Sequence, residues 1–213
     1  MDWAAGAEAA VARYRGGESR GLDQRQLTQL ANTAWAAGLC LLMAGRGDEA
    51  AEWLRIAAGR YRESWAGAPP DSWGRPIGAM KALLLAADDA SDAARWALDA
   101  GAAEAASPIG RYAGTLALLV LGRDDEARRL AASLRDRDDF PRDVADAVTM
   151  IAAGDRAGYL VAVEDVLASF ESRTDFLEDL AVADTVLVLQ RLAAARDMGV
   201  DLPASDRLPR NSS

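Results

Sequence analysis

The chain has 213 residues, 51% of them hydrophobic, which is enough to bury a substantial core. Its net charge of −9 makes nucleic acid and anionic membrane surfaces poor partners, because both repel an acidic surface. There is no histidine and only one cysteine, Cys40. These absences exclude a Ser-His or Cys-His catalytic pair and a structural zinc site, so we expect no metal, no cofactor and no enzyme activity. A single cysteine and no recognisable signal peptide predict a cytoplasmic protein.

The first half of the chain alternates between amphipathic stretches and polar breaks. Apolar side chains recur at i, i+3, i+4 and i+7, the spacing of one helix face. The longest break, Glu63–Pro76, contains Pro69 and Pro70, which do not fit inside a helix, and Asp71 or Ser72 is a good cap for the helix that follows. The predicted helices before this break are Asp2–Arg15, Leu22–Ala44 and Ala50–Tyr61.

In the second half, two helix starts carry recognisable signals. Ser107-Pro108 combines a capping serine with proline at the first helical position, and Pro141-Arg142-Asp143 is a similar start. The segment Asp179–Met198 is apolar nearly all round and predicts a long, deeply packed closing helix that Gly199 ends. The remainder, Val200–Ser213, predicts an extended tail with a disordered end.

Turns of one type recur along the chain. Gly45–Ala50 (GRGDEA) and Gly122–Ala127 (GRDDEA) match closely without a gap, and each follows one apolar stretch and starts another. The same plan appears less regularly after Asp88–Asp92 and after Gly154. Repetition at about 30 to 45 residues is the signature of arrays of helical hairpins.

The turn Gly45–Ala50, followed by Leu54 and Ala57, resembles the G-x-x-x-E-A…A core of the tetratricopeptide-repeat (TPR) family, and Gly122–Ala127 repeats it. The resemblance covers roughly residues 22–170. It departs from the family at Asp88, which stands in place of the turn glycine, and in lacking the proline after the second helix.

The resemblance implies an all-α fold of stacked antiparallel helical hairpins, with about nine to ten helices. We expect one domain over residues 1–199 and the tail over 200–213. In such a stack the first helices of the pairs line a concave groove, so a protein or peptide partner is expected.

The chain's ending suggests a narrower family. A helix to Phe170, a loop through Arg173 and Phe176, an apolar helix over 180–194, Gly199 and a final Leu-Pro together are similar to the immunity protein 49 family of bacterial toxin systems. Members of that family neutralise a toxin by binding it, and the likeness implies such a function here.

Two arginines are candidates for recognising a partner. Arg75 and Arg111 lie near the starts of two first-of-pair helices, beside Trp73 and Tyr112 respectively. In an open groove they would bind a carboxylate or an acidic peptide. Alternatively, they pair internally with acids of the C-terminal segment: Glu178, Asp179 or Asp184.

Trp65 lacks a periodic apolar partner, in contrast to Trp35, Trp53, Trp73 and Trp96, which lie on helix stripes and predict core positions. Trp65 either anchors the following loop or is an exposed contact for a ligand.

Carboxylates cluster at three turns, which fits either solvated helix starts or a divalent-cation site; the solvated turn is the preferred interpretation. The clusters are Asp88, Asp89 and Asp92; Asp124, Asp125 and Glu126; and Asp136, Asp138 and Asp139. Cys40 lies among leucines and predicts a buried, unreactive thiol.

The sequence therefore favours a non-catalytic module that binds a protein or peptide. Two other classes stay open: a small-molecule-binding protein or enzyme with a pocket near Trp65, Trp73 and Arg75, and a structural subunit that forms homo-oligomers through its apolar C-terminal helix.

Overall fold

A computed structural model describes residues 2–210. This part of the chain contains ten α-helices, two short 3₁₀ turns and no β-strand, which confirms the predicted all-α class and helix number. The helices are α1 (Trp3–Gly17), α2 (Gln24–Met43), α3 (Gly47–Ser64), α4 (Gly74–Leu85), α5 (Ser91–Asp99), α6 (Pro108–Val120), α7 (Asp124–Arg135), α8 (Arg142–Ala153), α9 (Arg156–Ser172) and α10 (Asp184–Ala194).

The repeated turns share one backbone geometry. At the α2–α3 corner, Gly45 has a φ of 74°, its N–H donates to the Leu42 carbonyl at 3.0 Å, and the N–H of Arg46 donates to the Leu41 carbonyl at 2.9 Å. This is the Schellman motif, in which a left-handed residue satisfies the last carbonyls of a helix. The same pair of bonds and the same left-handed position recur at the corners after α4, α6 and α8, at Ala87, Gly122 and Gly154.

The second corner corrects one detail of the sequence interpretation. Its left-handed residue is Ala87, with a φ of 57°, and not Asp88. Asp88 takes the following position, where its N–H donates to the Leu83 carbonyl at 2.9 Å.

The Arg and Glu of the repeated motif have a structural role. Arg46 donates through Nε and Nη2 to the two carboxylate oxygens of Glu49 at 2.7 and 2.6 Å, and Arg123 makes the same pair of bonds to Glu126 at 2.8 and 2.7 Å. Both pairs fix the start of the second helix of a hairpin.

Consecutive helices pack against each other from α1 to α9, and their close approach depends on small residues. At Gly38 of α2, an added Cβ would lie 2.7 Å from Cγ of Leu54 on α3. Leu54 is fully buried, so the glycine lets these two helices approach more closely than a larger residue would allow.

The C-terminal helix is shorter than its apolar run predicts. Residues 177–179 form a 3₁₀ turn, Glu178 and Asp179 are left-handed with φ of 55° and 57°, and α10 begins only at Asp184. Left-handed residues cannot continue a right-handed helix. The prediction of a helix over 179–198 was therefore wrong at both ends, since α10 stops at Ala194 and not at Gly199. Its packing prediction holds, because Val186, Val188, Leu189 and Leu192 of α10 are all buried.

The predicted tail lies against the body over its described part. Leu202 and Leu208 pack on the core, Ser205 donates to Glu171 at 2.7 Å, and the Arg207 carbonyl accepts from the Ala183 N–H at 2.9 Å. The final residues, 211–213, for which the sequence predicts disorder, lie outside the described range. Between residues 2 and 210, no helix has the length and apolarity needed to cross a membrane.

Candidate functional site

The first helices of successive hairpins form a face that the chain itself covers. Helix α10 lies on α4, α8 and α9, and the 3₁₀ turn at 177–179 lies on α2. We call the surface beneath them the inner face, and residues 173–183, which connect α9 to α10, the strap. The groove expected to be open is thus occupied by the chain's own C-terminal segment.

Lys81 of α4 lies on the inner face, opposite the first residues of α10. Its Nζ donates to Asp184 Oδ2 at 2.5 Å and to Thr185 Oγ1 at 3.1 Å, and it lies 5.9 Å from the ring centroid of Trp35. The side chains of Lys81 and Asp184 are only 12% and 18% exposed. Lys81 is also the only lysine in the chain. No sequence pattern indicates this ion pair, because its two members are 103 residues apart.

A cavity of about 250 Å³ lies beneath the strap, next to this ion pair. Aromatic rings and charged groups share its wall, which includes Trp35, Lys81, Phe170, Arg173, Phe176 and Asp184. Arg173 lies over the ring of Phe170 at 4.0 Å, and Arg207 of the tail lies 5.3 Å from the ring of Phe176.

The strap is bound through alternate side chains. Glu178 lies 3.5 Å from Arg13 of α1, Leu180 packs against the small side chains of α1 and α2, and Val182 is 2% exposed. Asp184, the next residue in this alternation, is the partner of Lys81. The chain between these contacts is an irregular turn: Glu178 and Asp179 are left-handed, the Val182 N–H donates to the Leu180 carbonyl at 2.8 Å, and Ala183 is buried beside Val182.

The other end of α10 is fixed by Arg196. Its Nη1 donates to the Leu192 carbonyl at 2.9 Å, Nη2 to the Leu119 carbonyl at 2.6 Å, and Nε to Asp124 at 3.1 Å. Residues after α10 are thereby joined to the ends of α6 and α7.

The two predicted recognition arginines are half-buried and bonded to neutral groups. Arg75 Nε donates to Ser64 Oγ at 3.0 Å and its Nη2 donates to the Gln24 side chain, while Arg111 Nε donates to the Ala105 carbonyl at 3.1 Å. Burial lowers the pKa of Arg75.

The suggested internal pairing of these arginines with acids was wrong. Glu178 pairs with Arg13 and Asp184 with Lys81. Sequence spacing does not indicate which of several cations a distant acid will meet.

The predicted aromatic residues form a packed corner. Trp65 is half-buried, edge-to-face with Trp96 at 5.5 Å and 6.1 Å from Trp73, which agrees with the loop-anchor interpretation. Trp73 is buried and donates through Nε1 to Asp71 at 3.0 Å, so Asp71 bonds to this ring and does not cap α4. Tyr112 is buried, with its ring 5.3 Å from Phe140.

Three other tryptophans predicted to be in the core, and the second predicted cap of α4, complete the comparison. Trp35 and Trp96 are buried as expected, but Trp53 is only half-buried, with its ring edge-to-face with Tyr14 at 5.2 Å. Ser72, the other predicted cap of α4, donates to the Pro69 carbonyl at 2.7 Å.

Arginines pair with the carboxylates of the acidic turns. Arg55 donates to both oxygens of Asp88 at 2.5 and 3.1 Å, and its guanidinium lowers the pKa of that carboxyl. Arg137 likewise donates to both carboxylate oxygens of Asp139 at 2.8 Å and lowers the pKa of that carboxyl. A carboxyl group that acts as a general acid needs a raised pKa, whereas the pKa values of Asp88 and Asp139 are lowered. Within residues 2–210, no group of three or more acidic or cysteine side chains is placed to hold a metal ion.

Cys40 is 1% exposed, and burial raises the pKa of its thiol, which is the environment of an unreactive cysteine.

Comparison of the chain with protein-family models, with curated proteins and with solved structures found no match. What defines the molecule is therefore its architecture: an all-α stack of helical hairpins whose inner face is covered by its own C-terminal segment.

Proposed function

We propose that this protein is a non-catalytic, cytoplasmic module that binds a partner protein. The observation that supports this most directly is the strap. An irregular stretch of chain before α10 is already held on the inner face through the Arg13–Glu178 pair and apolar contacts, and the first residue of α10 adds the Lys81–Asp184 pair. A surface that holds its own peptide in this way has the features needed to hold another.

The electrostatics support a binding role over a chemical one. The pKa values of Glu49, Asp88 and Glu126 lie below their usual values because each carboxylate accepts hydrogen bonds from an arginine. Such carboxylates stay ionised near neutral pH, and they stabilise helix starts.

Toxin neutralisation, as implied by the resemblance of the chain's ending to immunity protein 49, is the specific form of this function that we propose. It requires tight binding and no chemistry by this chain, and an acidic protein suits a basic toxin surface.

The test begins with affinity capture by the full chain from its native cells, followed by reconstitution of the complex from two purified components. Isothermal titration with the purified partner should give a defined stoichiometry. For the toxin hypothesis, co-expression of the chain should restore growth to cells that make the product of a neighbouring toxic gene.

The proposal is contradicted if the chain forms a complex with no protein but gains thermal stability from one compound of a metabolite collection. Since a ligand stabilises the folded state by mass action, that shift would point to a small-molecule function. A catalysed turnover would likewise refute the proposal.

A further inference from the structure

We propose that residues 178–184 act as a tethered ligand: they occupy a docking groove on α1, α2 and α4 whose occupant in a complex is an acidic–apolar segment of the partner. This inference rests on the proposed protein-binding function and specifies where and what the module binds.

The register of the strap defines the chemistry that the groove accepts. Glu178 lies against Arg13, Leu180 and Val182 fill the apolar middle, and Asp184 bonds to Lys81. The groove therefore presents a cation at each end and an apolar floor between them. The complementary segment has the pattern acid-x-apolar-x-apolar-x-acid.

The floor beneath Leu180 is built mostly from alanine. Leu180 packs against two buried clusters contributed by α1, α2 and α3: Ala7, Cys40, Leu41 and Ala50 in one, and Ala10, Ala36 and Ala37 in the other. A leucine of a partner could pack against the same clusters.

Arg13 and Lys81 are positive groups on a protein whose net charge is negative. The chain as a whole carries a charge of −9 and repels acidic peptides. Arg13 and Lys81 provide local positive charge, and the acids that oppose them both belong to the segment 178–184. When this segment leaves, both cations lose their partners and attract an acidic segment.

Residues 178–184, which are the last six residues of the strap and the first residue of α10, can leave while the rest of α10 stays. Glu178 and Asp179 are consecutive left-handed residues without being glycine, a conformation that L-residues adopt at a cost. Leu177 is 56% exposed, and the Arg13–Glu178 pair is exposed to solvent. In contrast, Val186, Val188 and Leu189 of α10 are fully buried. Release of residues 178–184 exposes two buried side chains, Val182 and Ala183, whereas release of α10 would open the core.

Acetylation of Lys81 reports on this site alone, because Lys81 is the only lysine and residues 178–184 cover it. The experiment compares the full chain with a loosened variant, Glu178→Gln/Leu180→Ser, which alters only the strap. Each protein is treated briefly with an amine-acetylating reagent, and acetylation of Lys81 is measured by peptide mass spectrometry. We expect faster acetylation in the loosened variant, with an unchanged helical circular dichroism spectrum.

Docking itself is measured with a fluorescent synthetic peptide that copies residues 177–185, by anisotropy. If the strap closes the groove more than nine-tenths of the time, loosening it should improve the apparent Kd about tenfold or more. Bound peptide should again slow acetylation of Lys81. A control peptide with its three carboxylates replaced by the matching amides should bind much more weakly. The original peptide should also bind weakly to the loosened variant when that variant carries the additional substitution Arg13→Glu.

A folded variant that exposes Lys81 but does not bind the peptide overturns the docking inference and leaves the protein-binding function to its own test. Equal binding of the acidic and amide peptides overturns the charge pattern. If the double variant loses its helical spectrum, amide hydrogen exchange is measured on the unaltered chain instead. The tethered-ligand inference requires the strap amides to exchange through a local unfolding event that leaves the α10 amides protected. Exchange of the strap and α10 in a single unfolding event refutes it.

Discussion

Substitution of Gly38 by alanine tests the packing of the hairpins directly. The new Cβ would lie 2.7 and 2.8 Å from two side-chain carbons of Leu54 and 3.4 Å from the Ala50 carbonyl oxygen. Leu54 is fully buried, so it has no solvent-facing space to move into. We therefore expect Gly38→Ala to destabilise the fold even though alanine is the better helix former.

The magnitude follows from two opposing effects. Overpacking of a filled core costs about 1–3 kcal/mol, whereas replacing glycine in a helix interior returns about 1 kcal/mol. With two contacts below 3.0 Å, the upper part of that range applies, and the net loss in the free energy of unfolding should be about 1–2 kcal/mol. For a chain of this length, that lowers the Tm by roughly 2–8 °C.

Gly59 of α3 provides the matched control. It also lies inside a helix, but an added Cβ there would have no atom within 4 Å. Gly59→Ala should therefore raise stability by about 0.5–1 kcal/mol through helix propensity alone. Thermal unfolding followed by circular dichroism, together with urea titration, should show Tm and free-energy changes of opposite sign for the two variants.

A second variant tests the assigned contact. Leu54→Val in the Gly38→Ala background should cost less than it does alone, because the shorter side chain relieves the overlap. If Gly38→Ala stabilises the protein as much as Gly59→Ala, or if the two substitutions at the contact are simply additive, the close approach of α2 and α3 is not as described.

Three other predictions concern the corners and the buried titratable groups. Ala87→Gly should stabilise the fold by up to about 1 kcal/mol, because it relieves a left-handed alanine, whereas Ala86→Gly beside it, at a φ of −72°, should destabilise it in the same urea titration. Burial raises the pKa of the Cys40 thiol, so a thiol-reactive chromophore should label it only at the rate of unfolding; labelling as fast as in denaturant would contradict its burial. Burial also raises the pKa of Tyr61 and Tyr112, so each phenol stays neutral in the fold while the unfolded chain ionises near its usual pKa of 10.0. Stability should be unaffected by these groups below that pH and fall above it, by about 1.4 kcal/mol per pH unit for each phenol; phenolate absorbance appearing near pH 10 without unfolding would argue against this.

The hairpin corners show what a local pattern can predict. Gly45 and Gly122 supply the left-handed residue that the Schellman motif needs, and the Arg-x-x-Glu pairing follows within the same few residues. The corner at Ala87 was predicted one residue late, at Asp88, because an alanine gives no signal for a left-handed backbone. There the packing of the flanking helices imposes the conformation.

The C-terminal segment shows where such patterns are ambiguous. Leu180 and Ala183 have helical spacing, but Leu180 and Val182 also have the i, i+2 spacing of an extended chain. Over so short a stretch both patterns fit the same residues, and the irregular turn that the chain forms there matches neither. The choice depends on contacts with α1 and α2, more than a hundred residues earlier, and with Arg207 of the tail. For the same reason the sequence could not predict the pairing of Lys81 with Asp184.

The position of α10 has a consequence for how the chain folds. Arrays of hairpins normally fold from neighbour to neighbour, and each unit can unfold with little effect on distant ones. Here the Lys81–Asp184 and Asp124–Arg196 pairs join the last helix to early and middle units. During synthesis the earlier hairpins must form with their shared apolar surface bare, and only the arrival of the final segment couples them. Removal of that segment should therefore replace one cooperative unfolding transition with several gradual ones.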